Sequence, residues 1–270
     1  MLTVSLVTFH NKLEQILAAI DSFKAFTGSY RIYIIDNSSD DALSVLASDH
    51  VIYYRNPSNI GFGAAHNVGI RMGQEAGSKY HIILNPDITI KSGCLKKLLV
   101  LMENHLDVGL VQPQIRYPDG EIQKLCKLIP SPADLILRRF IPFKGWKAKR
   151  VAYYELHETG YDHTIDVPSL SGCFMFIRAE VLNQVGGFDP RYFMYLEDLD
   201  LCRRIGEIFR TVFYPEAEVI HEYAKGSYKN KKLLKYHIQS AIKYFNKWGW
   251  FFDHKRTSKN RETLERLGLK

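Results

Sequence analysis

Three carboxylates fall within four residues at Glu197, Asp198 and Asp200, directly after the aromatic-rich run Tyr192-Phe193-Met194-Tyr195-Leu196. Acids that open a helix can simply complement its dipole. That accounts for Asp198 or Asp200 but not for the apolar run in front of them. A carboxylate held at an apolar surface can take the proton of an incoming hydroxyl. A second candidate acid, Asp87, closes Asn85-Pro86-Asp87. A divalent cation that holds a diphosphate needs few protein oxygens, because phosphate and water fill the other positions. Asp87 can supply one such oxygen, although an Asx turn is the simpler account of the tripeptide taken alone. His221 ends a short apolar run. A lone histidine is more often packing than ligand, yet paired in space with Asp87 it would be a metal or phosphate contact. The loop Asn59-Ile-Gly61-Phe-Gly63-Ala-Ala-His66-Asn67 enters a helix. It fits a dinucleotide fingerprint poorly, since His66 replaces the third glycine and the loop follows the third strand. A close backbone approach to a sugar nucleotide and a plain tight turn both remain open.

These residues need elements to position them. Apolar β-branched runs alternate with helical patterns through the first hundred residues. Strands are expected at Thr3–Phe9, Arg31–Asp36, Val51–Tyr54, Tyr80–Leu84 and Val108–Gln112, with helices at Lys12–Phe26, Asp41–Ser48, Phe62–Ala76 and Lys91–His105. This alternation predicts βαβ units and a mostly parallel sheet with helices on both faces. Such sheets bind ligands beyond the C-terminal ends of their strands, where Thr8, Asp36-Asn37-Ser38 and Asn85-Pro86-Asp87 fall. Each alone reads as a turn or cap residue; their shared location raises the odds of function.

After residue 112 the pattern changes. A hairpin is expected around Pro118-Asp119-Gly120, an irregular segment over Ile129–Arg150, and strands at Ser171–Ile177, Thr211–Tyr214 and Glu218–His221. Helices are expected at Ala179–Val185 and Asp198–Gly206, a Gly226-Ser227 turn follows His221, and a basic helix spans Lys231–Lys247 with apolar spacing. The organisation expected is a donor half over 1–112, an acceptor half over 113–222 and a basic helical tail over 223–270.

Composition bounds the function. The 270 residues are 46% hydrophobic and 24% charged, ordinary for a globular protein with a core of its own. Cys94, Cys126, Cys173 and Cys202 form no C-x-x-C pair and read as free thiols in a reducing compartment. The amino-terminal run lacks the basic start of a signal peptide, and no stretch approaches the roughly 20 apolar residues of a membrane span. A cytoplasmic protein is expected. Lys225 to Lys270 hold 13 Lys/Arg against 3 Asp/Glu, so the net +7 of the chain belongs to the tail and residues 1–224 carry −3. A second basic run, Arg138 to Arg150, contains no acid. Aromatic residues interleave both: Phe140, Phe143 and Trp146 in one, Trp248, Trp250 and Phe251 in the other. This suits peripheral contact with an anionic membrane at the inner face of the cell, and equally a solvated basic face.

The ordered set Val7-Thr8-Phe9…Asn11, Ile35-Asp36-Asn37-Ser38-Ser39, Asn59-Ile-Gly-Phe-Gly…Asn67, Asn85-Pro86-Asp87, Ser171-Gly172-Cys173-Phe-Met, Gly187-Phe188-Asp189…Tyr195-Leu-Glu197-Asp198-Leu-Asp-Leu and His221 resembles family 2 glycosyltransferases of the GT-A fold. It is especially similar to their rhamnosyltransferase-like branch, over roughly residues 2–247. The resemblance implies an α/β GT-A fold and an inverting transfer of one sugar from a nucleotide-diphosphate donor to a hydroxyl of a glycan or lipid-linked glycan, with dTDP-rhamnose the favoured donor and UDP-sugars the alternative. It implies that Thr8 and Asp36 contact the nucleobase and ribose, with Phe9, Asn11, Asn37, Asn59, Gly61, Asn67 and Asn85 lining the donor pocket. Asp87 takes the last position of the family's D-x-D metal motif, with His221 helping to hold Mg²⁺ or Mn²⁺ and the diphosphate. Asp198 takes the place of the catalytic base, with Glu197 beside it, and Gly172, Cys173 and Tyr195 lie on the acceptor side. One departure is that Asn85 stands where the first D-x-D acid would be.

Other classes fit less well. A non-catalytic sugar-nucleotide scaffold would tolerate loss of Glu197 and Asp198, which are both present. A nucleic-acid binder would show a recognisable motif and a basic main domain. A nucleotidyltransferase would carry a glycine-rich basic loop after the first strand, and Thr8-Phe-His-Asn-Lys12 is not one.

Overall fold

The computed structural model describes residues 1–137, 144–222 and 231–269. Its first half is a run of parallel βα units. Strands β1 (Leu2–Thr8), β2 (Tyr30–Asp36), β3 (Val51–Arg55) and β4 (Tyr80–Leu84) pair in parallel in the order β3-β2-β1-β4. The Val, Ile and Leu residues of β1, β2 and β4 are buried because helices cover both faces, while β3 at the end of the sheet buries only Val51. On one face, Ile16, Ala19 and Phe23 from α1 (Leu13–Asp21) and the turn after it pack with Leu95, Leu98 and Met102 of α3 (Cys94–Asn104). On the other, Ala65 and Ile70 of α2 (Phe62–Glu75) lie under β1, β2 and β4.

The sheet then changes sense. β8 (Phe174–Arg178) runs antiparallel between β4 and β6 (Val108–Arg116), and β9 (Arg210–His221) pairs in parallel with β6. The short strands β5 (Ile88–Ile90) and β7 (Ile165–Asp166) add antiparallel to β9. Leu84 sits opposite Phe174, and Ile88 opposite His221, so the chain after β4, the start of β8 and the end of β9 meet at one sheet edge.

Three local expectations are corrected. Residues 210–221 form one strand rather than two, because the register slips between Pro113 and Gln114 and the residues around Pro215 bulge out without breaking the ladder. The segment expected to be irregular carries a π-helical turn at Ala133–Leu137 and then α4 (Lys144–Tyr154). The prolines that argued for irregularity end at Pro142, and Ala, Lys and Arg beyond it are good helix formers. A further helix, α8 (His254–Arg266), was not foreseen because its sequence has almost no apolar stripe. The hairpin around Pro118-Asp119-Gly120 is a tight turn, with Gly120 N donating to Tyr117 O at 3.0 Å and Tyr117 N to Glu121 O at 2.8 Å. The expected Gly226-Ser227 turn and part of the Arg138–Arg150 run lie outside the described residues.

The remaining helices are α5 (Ala179–Val185), α6 (Glu197–Ile205) and α7 (Lys231–Trp248). Polar contacts join α6, α7 and α8. Arg203 of α6 forks onto Asp253, Nη1 to Oδ2 at 2.7 Å and Nη2 to Oδ1 at 2.6 Å, and its guanidinium lies 4.1 Å from the Trp248 ring. Asp253 Oδ1 also accepts from Arg256 N at 3.0 Å, capping α8. Both ionic side chains are under 5% exposed. Removing one partner strands the other charge, a loss of about 3–5 kcal/mol for a buried pair. Asp253→Ala should lower unfolding free energy by about that much in urea denaturation, whereas a change near zero would mean that Arg203 finds water.

Candidate active site

The candidate residues are spread over 214 positions, from Thr8 to His221, and the sheet edge gathers them. Thr8 pairs in register with Asp36 at the ends of β1 and β2. Asp36 is fully buried; Oδ1 accepts from Ser38 N at 2.9 Å and Ser38 Oγ at 2.6 Å, and Oδ2 from the Tyr53 hydroxyl at 3.0 Å. Three donors from the fold thus stabilise this acid without an outside charge. Thr8 Oγ1, buried beside it, has no hydrogen-bond partner among the described residues. An orphaned buried hydroxyl calls for an explanation, and a ligand arriving at the strand ends provides one.

Asn37 ties three loops together. Its backbone N–H donates to Thr8 O at 2.9 Å, Oδ1 accepts from Asn56 Nδ2 at 2.9 Å and Ile60 N at 3.4 Å, and Nδ2 donates to Gly61 O at 3.3 Å. Asn59 Oδ1 accepts from Gly61 N at 2.9 Å. Gly61 has φ +90°, and a Cβ there would stand 2.3 Å from the carbonyl oxygen of Phe193. Only glycine lets the backbones come this close, and Phe62 N donates to that same oxygen at 2.9 Å. Asn67 brackets Phe188, donating to its carbonyl and accepting from its N–H at 2.7 Å each. The glycine loop therefore leans on the chain segment that leads to Asp198.

The β1–α1 loop forms the other side. Asn11 Oδ1 accepts from Phe9 N at 2.9 Å, Ser38 Oγ accepts from His10 N at 2.8 Å, and the Phe9 ring is 53% exposed. His10, Asn11, Lys12 and Gln15 face Pro86, Asp87, Thr89 and Glu222 across a cleft of about 510 Å³. Asp87 Oδ1 lies 3.2 Å from His221 Nε2. Gln123 fixes that imidazole: Nε2 of Gln123 donates to His221 O at 2.8 Å, which leaves Oε1 to accept from His221 Nδ1 at 2.8 Å. Burial opposes a charge on His221, but hydrogen bonds to Asp87 and Cys173 raise its pKa to about 10. The Asp87 carboxylate suits a hard divalent cation, and an imidazole nitrogen 3.2 Å away is a common second ligand for a metal. Nδ1 is committed to Gln123, which leaves Nε2 on the side of Asp87, the arrangement that orients metal-binding histidines. Among the described residues no cluster of three or more His, Cys, Asp or Glu could hold a metal by itself. The pair fits a cation whose other ligands arrive with a diphosphate.

Asp198 reaches the same edge by a two-step bridge. Its Oδ2 accepts from Gly172 N at 2.9 Å, and the next residue, Cys173, accepts through its carbonyl from Asn85 N at 2.9 Å. A Cβ on Gly172 would press to 3.0 Å from Asp198 Cβ. Asp198 Oδ1 accepts from Leu199 N at 2.8 Å in the first turn of α6, and the side chain keeps partial exposure. The two residues before α6, Tyr195 and Leu196, have φ +71° and +67°. Such left-handed positions for bulky residues are strained and concentrate at functional sites. The Tyr195 ring lies against His237, at 5.4 Å between centroids.

The neighbouring acids live in different surroundings. Glu197 is 5% exposed, and its Oε2 has no partner among the described residues. Burial, then the charge of Asp198, pushes its pKa well above the ordinary carboxylate value, so it favours the neutral acid. Asp200, fully buried, is satisfied by Arg204 Nε at 2.9 Å, Trp248 Nε1 at 2.8 Å and Lys247 Nζ at 2.6 Å. Sequence reasoning missed Gln123, Tyr53, Asn56 and Ser240, none of which sits in a motif; glycines beside polar loop residues were the one readable sign of crowding.

The state of Glu197 has a measurable sign. Above about pH 4.5 the unfolded chain releases this proton while the folded chain retains it, so folding stability falls as pH rises. Glu197→Gln mimics the neutral acid and should gain in melting temperature over the parent from about pH 4.5 upward, with little difference at pH 4. Parallel melting curves across pH 4–8 would show Glu197 ionised in the fold.

With the geometry in hand, comparison with known proteins gives a consistent picture. The family described as Glycosyl transferase family 2 matches residues 5–186. The chain is 32% identical over 229 residues, 78% of itself and 72% of the relative, to an N-acetylglucosaminyl-diphospho-decaprenol L-rhamnosyltransferase of Mycobacterium tuberculosis. It is 25% identical over 252 residues, 88% of itself and 90% of the relative, to the rhamnosyltransferase WbbL of Escherichia coli. Among solved structures, GalNAc-T7 with UDP, GalNAc and Mn²⁺ superposes with a TM-score of 0.63 at 15% identity, covering 100% of this chain and 55% of that one. The mannosyltransferase PcManGT of Pyrobaculum calidifontis, with GDP-Man and Mn²⁺, gives 0.59 at 16% identity, covering 90% and 64%. The GT-A fold is therefore shared, and the chain belongs to glycosyl transferase family 2, with a rhamnosyltransferase-like sequence.

Proposed function

We propose that this glycosyltransferase inverts configuration as it moves a sugar, rhamnose from dTDP-rhamnose, onto a hydroxyl of a lipid-linked glycan or polysaccharide precursor at the cytoplasmic face of the membrane. The observation that carries the reading is the bridge from Asp198 through Gly172 and Cys173 to Asn85, which ties a partly exposed carboxylate to the loop that carries Asp87, the partner of His221. The names of the two rhamnosyltransferase relatives support the choice of sugar, and the lipid diphosphate in the first name supports the class of acceptor.

The chemistry follows from the residues. The acceptor oxygen bonds to the anomeric carbon, the bond from that carbon to the diphosphate oxygen breaks, and a nucleoside diphosphate leaves. Asp198 takes the hydroxyl proton. Its Oδ2 is held by Gly172 N–H, so the carboxylate is oriented before the acceptor arrives. Thr8 and the Asn37-centred loops hold the nucleoside, and Gly61 lets the backbone of Phe193 close against those loops. A single displacement by one base inverts the anomeric centre, through an oxocarbenium-like state of the kind met in glycoside hydrolysis. Asp87 and His221 would hold Mg²⁺ or Mn²⁺, which when bound neutralises charge growing on the diphosphate.

Base and donor functions separate experimentally. Asp198→Asn should lose at least about 10²-fold in turnover while keeping the donor-induced rise in melting temperature measured with dTDP-rhamnose and Mn²⁺. Turnover within a few-fold of the parent would reassign the base. Asp87→Ala should lose the Mn²⁺-dependent part of that rise; an unchanged titration would remove Asp87 from the metal site. If a UDP-sugar, and not dTDP-rhamnose, stabilises the parent, the donor is reassigned.

A further inference from the structure

Helix α7 presents two unlike faces. Inward it buries Ser240, Ala241, Tyr244 and Phe245, and this face grips the chain that precedes Asp198. Ser240 Oγ donates to Met194 O at 2.8 Å, the Tyr236 ring lies 4.6 Å from Phe193, and Lys243 Nζ donates to Arg191 O at 2.5 Å. Outward, Ile238 and Ile242 stand one turn apart at 42% and 43% exposure. Just past the helix, Phe251 and Phe252 are 79% and 89% exposed, the most exposed large apolar side chains among the described residues. Lys231, Lys232, Lys235 and Lys243 are exposed on the same helix, whose 18 residues include no acid. Helix α4 is also without an acid and exposes Trp146 and Tyr153, seven residues apart and so on one side, with Lys147 and Lys149 between them. Both helices border the Ala133–Leu137 turn.

Scattered exposed apolar residues need no explanation. Here they are paired, next to exposed Lys231, Lys232 and Lys235 on a helix without acids, and the one acid beside the phenylalanines, Asp253, is buried against Arg203. A solvated basic face gains nothing from exposing two consecutive phenylalanines. An anionic bilayer uses both features: lysines gain from the surface potential, roughly fivefold in adsorption for each one near the surface, and the rings and branched chains enter the interface. We infer that the outer face of α7, with the Phe251–Phe252 turn, docks on anionic membrane while its inner face holds the segment bearing the base. This deepens the proposed function, on which it rests for the lipid-linked acceptor. The same helix then fixes the active site at the height where that acceptor is presented.

The test uses the full chain and co-sedimentation with vesicles of phosphatidylcholine alone or with phosphatidylglycerol. Binding is expected only to the anionic vesicles and should weaken as salt rises. The double variants Phe251→Ser/Phe252→Ser and Ile238→Ser/Ile242→Ser should each lower the partition coefficient roughly tenfold or more, while the donor-induced melting shift and turnover on a water-soluble acceptor stay at parental values. Absence of binding to anionic vesicles overturns the inference. So does binding indifferent to both double variants, which marks a general polyanion surface of the kind a nucleic acid would use. Vesicle binding requires no donor, so failure here leaves the enzyme reading standing, and failure of the donor shift in the parent leaves the vesicle result standing.

Discussion

The hydrogen bond from Gly172 N–H to Asp198 Oδ2 is the contact on which the site depends. Asp198 opens a helix, and a carboxylate there would ordinarily turn back onto the first-turn amides. One oxygen does so, accepting from Leu199 N; the other is drawn to the sheet by Gly172, where a Cβ would crowd the acid it binds at 3.0 Å from Asp198 Cβ. The next carbonyl continues the bridge to Asn85 N, at the start of the loop that carries Asp87. Antiparallel insertion of β8 beside β4 makes this possible: only a strand that begins at the C-terminal edge of the parallel half can hand its first residues to that edge. The change of strand sense is thus what joins the parallel half of the sheet to the half that carries Asp198.

Three acids in four residues meet three environments, and the environments divide their roles. Asp200 faces two cations and an indole N–H and has no capacity left for substrate. Glu197 is buried with no cation in contact among the described residues, and burial followed by the charge of Asp198 raises its pKa, which favours the neutral acid. Asp198 alone combines two backbone donors with exposure. The positive φ angles of Tyr195 and Leu196 accompany this division, turning the chain sharply just before one acid that is buried and a next one that stays partly exposed. Phe193 O, fastened by Phe62 N–H against Gly61, pins the other end of the turn.

Much of this was legible in the sequence because the parallel half announces itself. Four Val/Ile runs, each ending in polar residues, give both the strands and the edge at which they end. The acceptor half was less legible. The strand spanning Pro215 read as two, since a proline that bulges out of a ladder is locally indistinguishable from one that ends it. Helix α8 gave no periodic signal because it is held by an Asp253 cap and an Arg203 fork instead of an apolar stripe. Gln123 was invisible for a different reason: its partner lies 98 residues away, and no local pattern marks a side chain whose task is to choose a histidine tautomer.

The C-terminal helices bear on the segment around Asp198 through packing. Asp200 takes its indole and ammonium partners from α7, and Arg203 takes its carboxylate from the turn between α7 and α8. The helix that carries Asp198 is therefore anchored at its middle by charges from the last fifth of the chain. Buried ion pairs add little net stability over well-packed apolar groups, but they tolerate few alternative arrangements. That property suits α6: an apolar contact would let the helix slide by a fraction of a turn, whereas the Arg203–Asp253 fork and the Asp200 triad admit one register. A displacement of α6 along its axis would break the Asp198–Gly172 bond first, because that bond joins the helix to the sheet at its amino-terminal end.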